Sequence, residues 1–166
     1  MALIHSDASI ASGVIDEFDE RANSISYLLF CDGSAGGTIR ASVYSAEFEW
    51  QSIPATATYE EVIHKVLGHK VPVLQSSHFA LLPEHRTLSW TPKALLYRAL
   101  LATAAEHKVE FIVTIVRDRR TQLRFYAKLG FQPIAPPRVH APVSRMGVLL
   151  LTTTQDFSRW VDDQLT

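Results

Sequence analysis

Residues 111–134 read FIVTIVRDRRTQLRFYAKLGFQPI. Phe111-Ile112-Val113-Thr114-Ile115-Val116 is an apolar, β-branched run of the kind that fills a buried strand. Four polar residues, Arg117 to Arg120, follow it. Leu123, Phe125, Tyr126 and Ala127 then fall at helical spacing along one side. Gly130 ends that helix, because glycine accepts the left-handed conformation just past a C-terminus. Phe131 opens a second extended segment, which Pro133 cuts short. The unit is strand, helix, strand, with a helix of about three turns.

The flanking chain extends the same alternation. Upstream, Thr91-Pro92 is a cap followed by proline at the first turn, and it opens a helix running to about His107. Its apolar stripe, with Leu95, Leu96, Ala99, Leu100, Thr103 and Ala104, is broad enough to pack on a sheet. Val71 to Leu82 is a long strand closed by Pro83. Tyr59 to Leu67 reads as a short helix, with Thr58 and Glu61 at capping-box spacing and Gly68 at its end. Ala46 to Thr58, with Pro54, reads as a loop over a binding cleft. Ser24 to Cys31 and Thr38 to Tyr44 form a hairpin around the turn Asp32–Gly37. Val14 to Asn23 places Val14, Phe18 and Ala22 on one helical face, and residues 1–13 are a loose arm or a short strand with a turn at Gly13. Downstream, Pro136-Pro137 forces a loop, Ser144 to Thr152 is a last strand, and Asp156 to Val161 is a short helix docked by Phe157 and Trp160. This order implies one α/β domain over 1–166, a mixed sheet with helices on both faces.

Bulk properties bound the function. The chain has 166 residues, 47% hydrophobic and 20% charged, enough to bury a real core. A formal net charge of −1 gives no reason to expect nucleic acid or an anionic membrane as partner. The charge is uneven, however. Arg117, Arg119, Arg120, Arg124 and Lys128 cluster after the central strand, either as a solvated face or as an anion site. The single cysteine, Cys31, permits no internal disulfide and fits a reducing compartment, the cytoplasm. No stretch reads as a signal peptide or a membrane span.

Phe125-Tyr126-Ala127-Lys128-Leu129-Gly130-Phe131 resembles the Y-x-K-L-G-F signature near the C-terminus of the GNAT acyltransferase superfamily. The order of elements is that of the GNAT fold as well. The resemblance implies transfer of an acyl group from a pantetheine thioester to an amine, with Tyr126 near the sulfur as the acid that protonates the departing thiolate. The other reading of Tyr126 is a core aromatic with its hydroxyl at the surface.

A second segment, Gln75-Ser76-Ser77-His78-Phe79-Ala80-Leu81-Leu82-Pro83-Glu84-His85-Arg86, narrows the resemblance. Together with Asp16-Glu17-Phe18-Asp19 and Gly37-Thr38-Ile39-Arg40, it is similar to the N-acyl amino acid synthases and acyl-homoserine-lactone synthases. These take long acyl chains, commonly from acyl carrier protein. Their pattern often carries Glu and Arg in E-x-S-R-F, where this chain has Gln75 and His78. The resemblance makes Phe79 and Leu81 part of a strand that pairs with pantetheine, and places donor phosphate at Arg86, Ser89 and Thr91. Both glycines of the usual phosphate loop are missing, which leaves Arg86 and the helix start to hold a phosphate.

Acyl transfer needs a base for the amine, and an imidazole titrating near neutrality suits it. His78 is the candidate, with a histidine satisfied within the fold as the other reading. Strict alternation puts His78 on one face with Ser76 and Ala80, and Ser77 with Phe79 on the other. Arg40 would orient an acceptor carboxylate by a bidentate pair, or else be an exposed strand charge. Trp50, with Phe48, would lie against a long acyl chain. No His/Cys spacing predicts a metal site. The reading is an acyltransferase using acyl-CoA or acyl carrier protein as co-substrate and a small-molecule amine such as an amino acid as acceptor. The alternative is a non-catalytic GNAT-like module that binds an acyl thioester or a protein.

Overall fold

The computed structural model describes residues 2–6, 16–86, 90–140 and 145–166. Its strands are β1 (Ala2–Ser6), β2 (Ser24–Cys31), β3 (Ser34–Tyr44), β4 (Val73–Leu81), β5 (Phe111–Arg117), β6 (Gln132–Pro133), β7 (Arg138–His140) and β8 (Arg145–Thr153). Its helices are α1 (Pro54–Leu67), α2 (Pro83–Arg86), α3 (Thr91–Glu106), α4 (Arg120–Lys128) and α5 (Thr154–Leu165). The strands form one mixed sheet in the order β1-β2-β3-β4-β5-β8-β6, with β7 paired to β8. Among the described residues only β4 and β5 run parallel, joined through α3.

Period-two alternation along the central strands supplies two cores. Leu74, Ile112 and Leu150 face α3, α4 and α5, and Phe157 and Val161 of α5 dock there. Val73, Val113 and Leu149 face α1 and meet Ile53, Tyr59 and Ile63. Helices therefore cover both faces, as the sequence implied. No helix among the described residues is long and apolar enough to cross a membrane.

The central unit follows its sequence closely. Gly130 adopts φ 84, the left-handed geometry that closes α4, and β6 is only two residues long because Pro133 ends it. The β2–β3 hairpin turns on Asp32 (φ 52) and Gly33 (φ 83), so the turn is tighter than expected and Ser34 is already strand.

Three expectations need correction. Residues 16–23 form turns rather than a helix: the Asp16 carboxylate accepts the Phe18 N–H at 2.9 Å, and the Asp19 carboxylate accepts the Asp16 N–H at 2.8 Å. Such short side-chain bonds compete with helical ones. The loop read over Ala46–Thr58 is a 3-10 turn (Ala46–Phe48) followed by α1, which starts at Pro54. Pro54 is thus a first-turn proline rather than a loop marker, and Thr56, not Thr58, closes the end by accepting the Ile53 N–H at 2.9 Å. The cap of α3 is Trp90, with Thr91 the first helical residue. Gly13, with the turn expected there, lies outside the described residues.

Candidate functional site

The site begins where the central parallel pair comes apart. β4 and β5 pair from Val73↔Phe111 to Ser76↔Thr114 and no further, although β4 runs on to Leu81 and β5 to Arg117. The Thr114 hydroxyl donates to the Ser76 carbonyl at 2.9 Å and marks the crotch of this fork. Beyond it, the edge of β4 turned toward β5 has no strand partner among the described residues. Such an edge is a template for an extended ligand.

Tyr126 of α4 reaches the fork from the α3–α4 face. Its hydroxyl is influenced by Thr114 and by Tyr97 of α3; burial raises its pKa, and the two hydroxyls pull it down by less. It is a protonated phenol at neutral pH. Tyr97 stacks on Phe79 at 5.0 Å between centroids. The Tyr97 hydroxyl is buried without a hydrogen-bond partner of acceptable geometry, yet it is near enough to Tyr126 for the two to perturb each other.

His78 reaches the fork from the opposite face. It adopts φ 50, and the β3–β4 register slips there, from Arg40↔Ser77 to Thr38↔Ala80. This is a bulge, and a bulge breaks alternation. Ser77 and His78 both turn to the Arg40 face while Phe79 goes to Tyr97, which corrects the alternating arrangement read from sequence.

On that face lies a buried ionic cluster. Arg40 is 1% exposed and donates to Asp16 (Nη1–Oδ1 2.7 Å, Nη2–Oδ2 3.2 Å), to Asp19 (Nη1–Oδ1 2.7 Å) and to Ser77 (Nε–Oγ 3.0 Å). His78 Nε2 is 3.3 Å from Asp16 Oδ2, and Nδ1 is 3.8 Å from Asp19 Oδ1. Burial raises the Asp16 pKa, but the Arg40 and Phe18 hydrogen bonds and the charges of Arg40 and His78 outweigh it, and the net shift is down. Burial and the Arg40 charge lower the His78 pKa against the opposing pull of Asp19 and Asp16, so its imidazole is neutral at neutral pH. Asp16, Asp19 and His78 bring three potential ligand atoms within 4.8 Å of one another. The Arg40 guanidinium already occupies the position between the two carboxylates where a cation would sit, so the set does not fit a metal ion.

Of the residues singled out in the sequence, His78 and Phe79 lie on the stretch of β4 beyond the crotch, and Tyr126 reaches Thr114 at the crotch from the α3–α4 face. Leu81 ends β4, and its carbonyl accepts Arg86 Nε at 2.8 Å. Arg86 ends α2, Thr91 begins α3, and Ser89 lies outside the described residues. Arg40 is neither an exposed charge nor open for a bidentate pair with a ligand, because Asp16 already holds that position. Trp50 packs on Tyr44, which pairs with the first residue of β4, so it sits at the far end of that strand from the fork. Phe48 and Trp50 pack against different cores. Gln75 is 2% exposed and accepts the Ala55 N–H at 2.6 Å, anchoring the start of α1.

Sequence reasoning assigns no role to four members of this region. Asp16 and Asp19 enter it only within the Asp16–Asp19 stretch that carries the resemblance. Tyr97 was lost in the apolar stripe of α3, and Thr114 in a strand run. Lys93, in the first turn of α3, donates to the Arg86 carbonyl at 2.9 Å, lies 5.0 Å over the Trp90 ring, and has its pKa lowered by burial. The cationic cluster is exposed: Arg117 ends β5, and Arg119, Arg120, Arg124 and Lys128 flank or lie on α4, with no salt bridge among the described residues. Arg117, Asp118, Arg119 and Met146 line a cavity of about 420 Å³.

The structure is similar to that of FeeM, an N-acyl amino acid synthase from uncultured soil microbes, with a TM-score of 0.71, 20% identity, and coverage of 88% of this chain and 83% of that one. It is also similar to the CoA-dependent acyl-homoserine lactone synthase BjaI (TM-score 0.58, 13% identity, 90% and 67% coverage) and to the acyl-homoserine lactone synthase LasI (0.59, 17%, 84% and 68%). These likenesses show the shared GNAT-type fold. No curated protein sequence matches this chain. The family model described as FeeM, N-acyl amino acid synthase, matches residues 4–153, and the chain belongs to that family.

Proposed function

We propose that this protein is an N-acyltransferase that moves an acyl group from a pantetheine thioester to a small-molecule amine such as an amino acid. The observation that carries this reading is the fork between β4 and β5, with a phenol on one side and a neutral imidazole on the other. Pantetheine adds to the open edge of β4 along Phe79 and Leu81 and brings its thioester to the crotch. The acceptor approaches from the face bearing His78. The amine nitrogen attacks the carbonyl carbon, His78 takes the nitrogen's proton, the C–S bond breaks, and Tyr126 protonates the thiolate. The products are an N-acyl amine and a free thiol, and backbone N–H groups of β4 stabilise the oxyanion between them.

Acyl carrier protein is the donor we favour over free acyl-CoA. Arg86 Nε is engaged by the Leu81 carbonyl, and the glycines that let backbone approach a pyrophosphate are absent. The exposed Arg117–Lys128 rim instead offers an acidic carrier a surface beside the helix that bears Tyr126. The single cysteine suits a reducing compartment such as the cytoplasm.

The test incubates the protein with long-chain acyl carrier protein or long-chain acyl-CoA, each with a mixture of amino acids, and follows free thiol and N-acyl products by mass spectrometry. Thiol release matched by N-acyl amino acid is the expected result, faster with the carrier. Donor binding without thiol release refutes the enzyme and supports a GNAT-like binding module.

A further inference from the structure

The ionic cluster behind His78 does more than fill space, and its arrangement assigns the proton on the imidazole. We infer that Asp16 is the positioning residue of this site: its carboxylate, 3.3 Å from Nε2, keeps the resting proton of His78 on that nitrogen by charge and thereby leaves the Nδ1 lone pair to receive the acceptor's proton. This inference rests on the acyl-transfer reading above.

The carboxylate has no freedom of its own. Asp16 is 8% exposed; its Oδ1 accepts from the Phe18 N–H at 2.9 Å and from Arg40 at 2.7 Å, and its Oδ2 lies 3.2 Å from Arg40 Nη2 and 3.3 Å from His78 Nε2. The contact is one of charge and not an aligned hydrogen bond: a proton on Nε2 is drawn to the carboxylate oxygen 3.3 Å away, whereas an unprotonated Nε2 would set a lone pair against it. Nδ1 faces Asp19 at 3.8 Å, too far for a hydrogen bond but close enough to stabilise a proton once it arrives. The bulge at His78 is what brings the ring to this face at all.

The charged groups facing His78 are Asp16 and Asp19 from the 16–23 turns and Arg40 from β3. Two carboxylates alone would hold an imidazolium at rest, useless as a base. Burial of the ring and, after it, the charge of Arg40 outweigh them, so the ring rests neutral. When Nδ1 gains the acceptor's proton, Asp16 and Asp19 flank the new cation. The side chain is 36% exposed, so the proton then leaves to solvent.

The test has a structural and a kinetic arm. Long-range ¹H–¹⁵N correlation spectra of the full chain at pH 7.5 read the protonation of His78. A neutral ring with its proton on Nε2 is expected; a proton on Nδ1, or a charged ring, overturns the inference whatever the activity. In the thiol-release assay, Asp16→Asn is expected to lower kcat by about tenfold to a hundredfold with the donor KM unchanged. It should also move the acid limb of the pH profile to lower pH, because a group that raises the His78 pKa is gone. In a His78→Ala background the same substitution should cost less than about twofold, since Asp16 acts through that ring. Full additivity of the two substitutions overturns it. If Asp16→Asn does not fold, the wild-type spectrum alone decides the tautomer. If the wild type transfers no acyl group although the proton lies on Nε2, it is the acyl-transfer reading that falls, and this inference falls with it.

Discussion

Replacing Tyr126 by Phe removes one oxygen at the fork and little else. The ring packs edge-on against Phe125 at 5.2 Å and Phe131 at 5.4 Å, and both contacts survive in Phe. The catalytic loss follows from the acid's strength. Burial holds the phenol above its ordinary value of about 10, whereas an alkyl thiol titrates near 8.5. Proton transfer to the thiolate is therefore uphill even once the C–S bond has broken, which puts the proposed role of Tyr126 at the weak end of general acid catalysis. That end is about 10², or about 2.7 kcal/mol of transition-state stabilisation. The assay is single-turnover thiol release with saturating acyl donor, alongside donor affinity by calorimetry. The expected result is a fall in rate of about a hundredfold with the affinity preserved. A rate within twofold of wild type, at unchanged affinity, would refute the role of Tyr126. A loss of affinity equal to the loss of rate would instead make Tyr126 a binding residue.

Tyr59→Phe leaves the Gly147 carbonyl and the Arg138 N–H without the hydroxyl they bond at 2.6 and 3.1 Å; we expect a loss of about 2 kcal/mol, seen as a fall in Tm of about 4–8 °C. Tyr97→Phe removes a buried hydroxyl that lacks a partner and should leave Tm unchanged or raise it, a result thermal denaturation checks directly. Combined charge removal at Arg119, Arg120 and Arg124 should raise the apparent KM for acyl carrier protein several-fold and flatten its salt dependence, while the KM for acyl-CoA stays within twofold. Stability should fall in two stages as pH drops, measured by urea unfolding. The His78 pKa is lowered on folding, so its contribution is present above the unfolded value of about 6.5 and is lost as pH falls through the folded one; Asp16, also lowered, follows below about 3.9. His78→Ala should erase the first stage only.

The parts of this fold that were legible in the sequence are those whose signals are local. The buried strand at Phe111–Arg117, the closure at Gly130 and the proline that opens α3 each depend on a few neighbouring residues, and each sits where the pattern puts it. The misreadings share a different cause. Helical spacing in residues 14–23 is genuine, but the Asp16 and Asp19 carboxylates take backbone N–H groups there, and what holds them is Arg40 on another strand. Pro54 looks the same as a loop proline or as a first helical residue, and the choice is made by Gln75, whose amide oxygen accepts from the turn that follows it. At the site, Tyr126 was recoverable because a contiguous motif carries it. Asp16 and Asp19, Tyr97, and Thr114 come from three separate segments that only the fold assembles. The face on which His78 lies was beyond any periodic reading, because a bulge is defined by the register of two strands.

The two departures from the E-x-S-R-F pattern can be understood as one exchange. Glu and Arg at these positions sum to zero charge, and Gln75 with a neutral His78 does the same, so the net charge beside Asp16, Asp19 and Arg40 is unchanged. Either replacement alone would not keep it. An arginine at 78 with glutamine at 75 would leave the local sum at +1, and a glutamate at 75 with histidine at 78 at −1, which would push the imidazole toward its charged form. What changes is where a proton acceptor can sit. Gln75 cannot accept a proton at neutral pH, and its amide oxygen is committed to the Ala55 N–H in any case. His78 is next to the same cluster, three residues along β4, turned outward by the bulge and exposed by about a third. Loss of a carboxylate from position 75 is therefore no argument against catalysis, since the same strand supplies an imidazole closer to its outer, unpaired stretch.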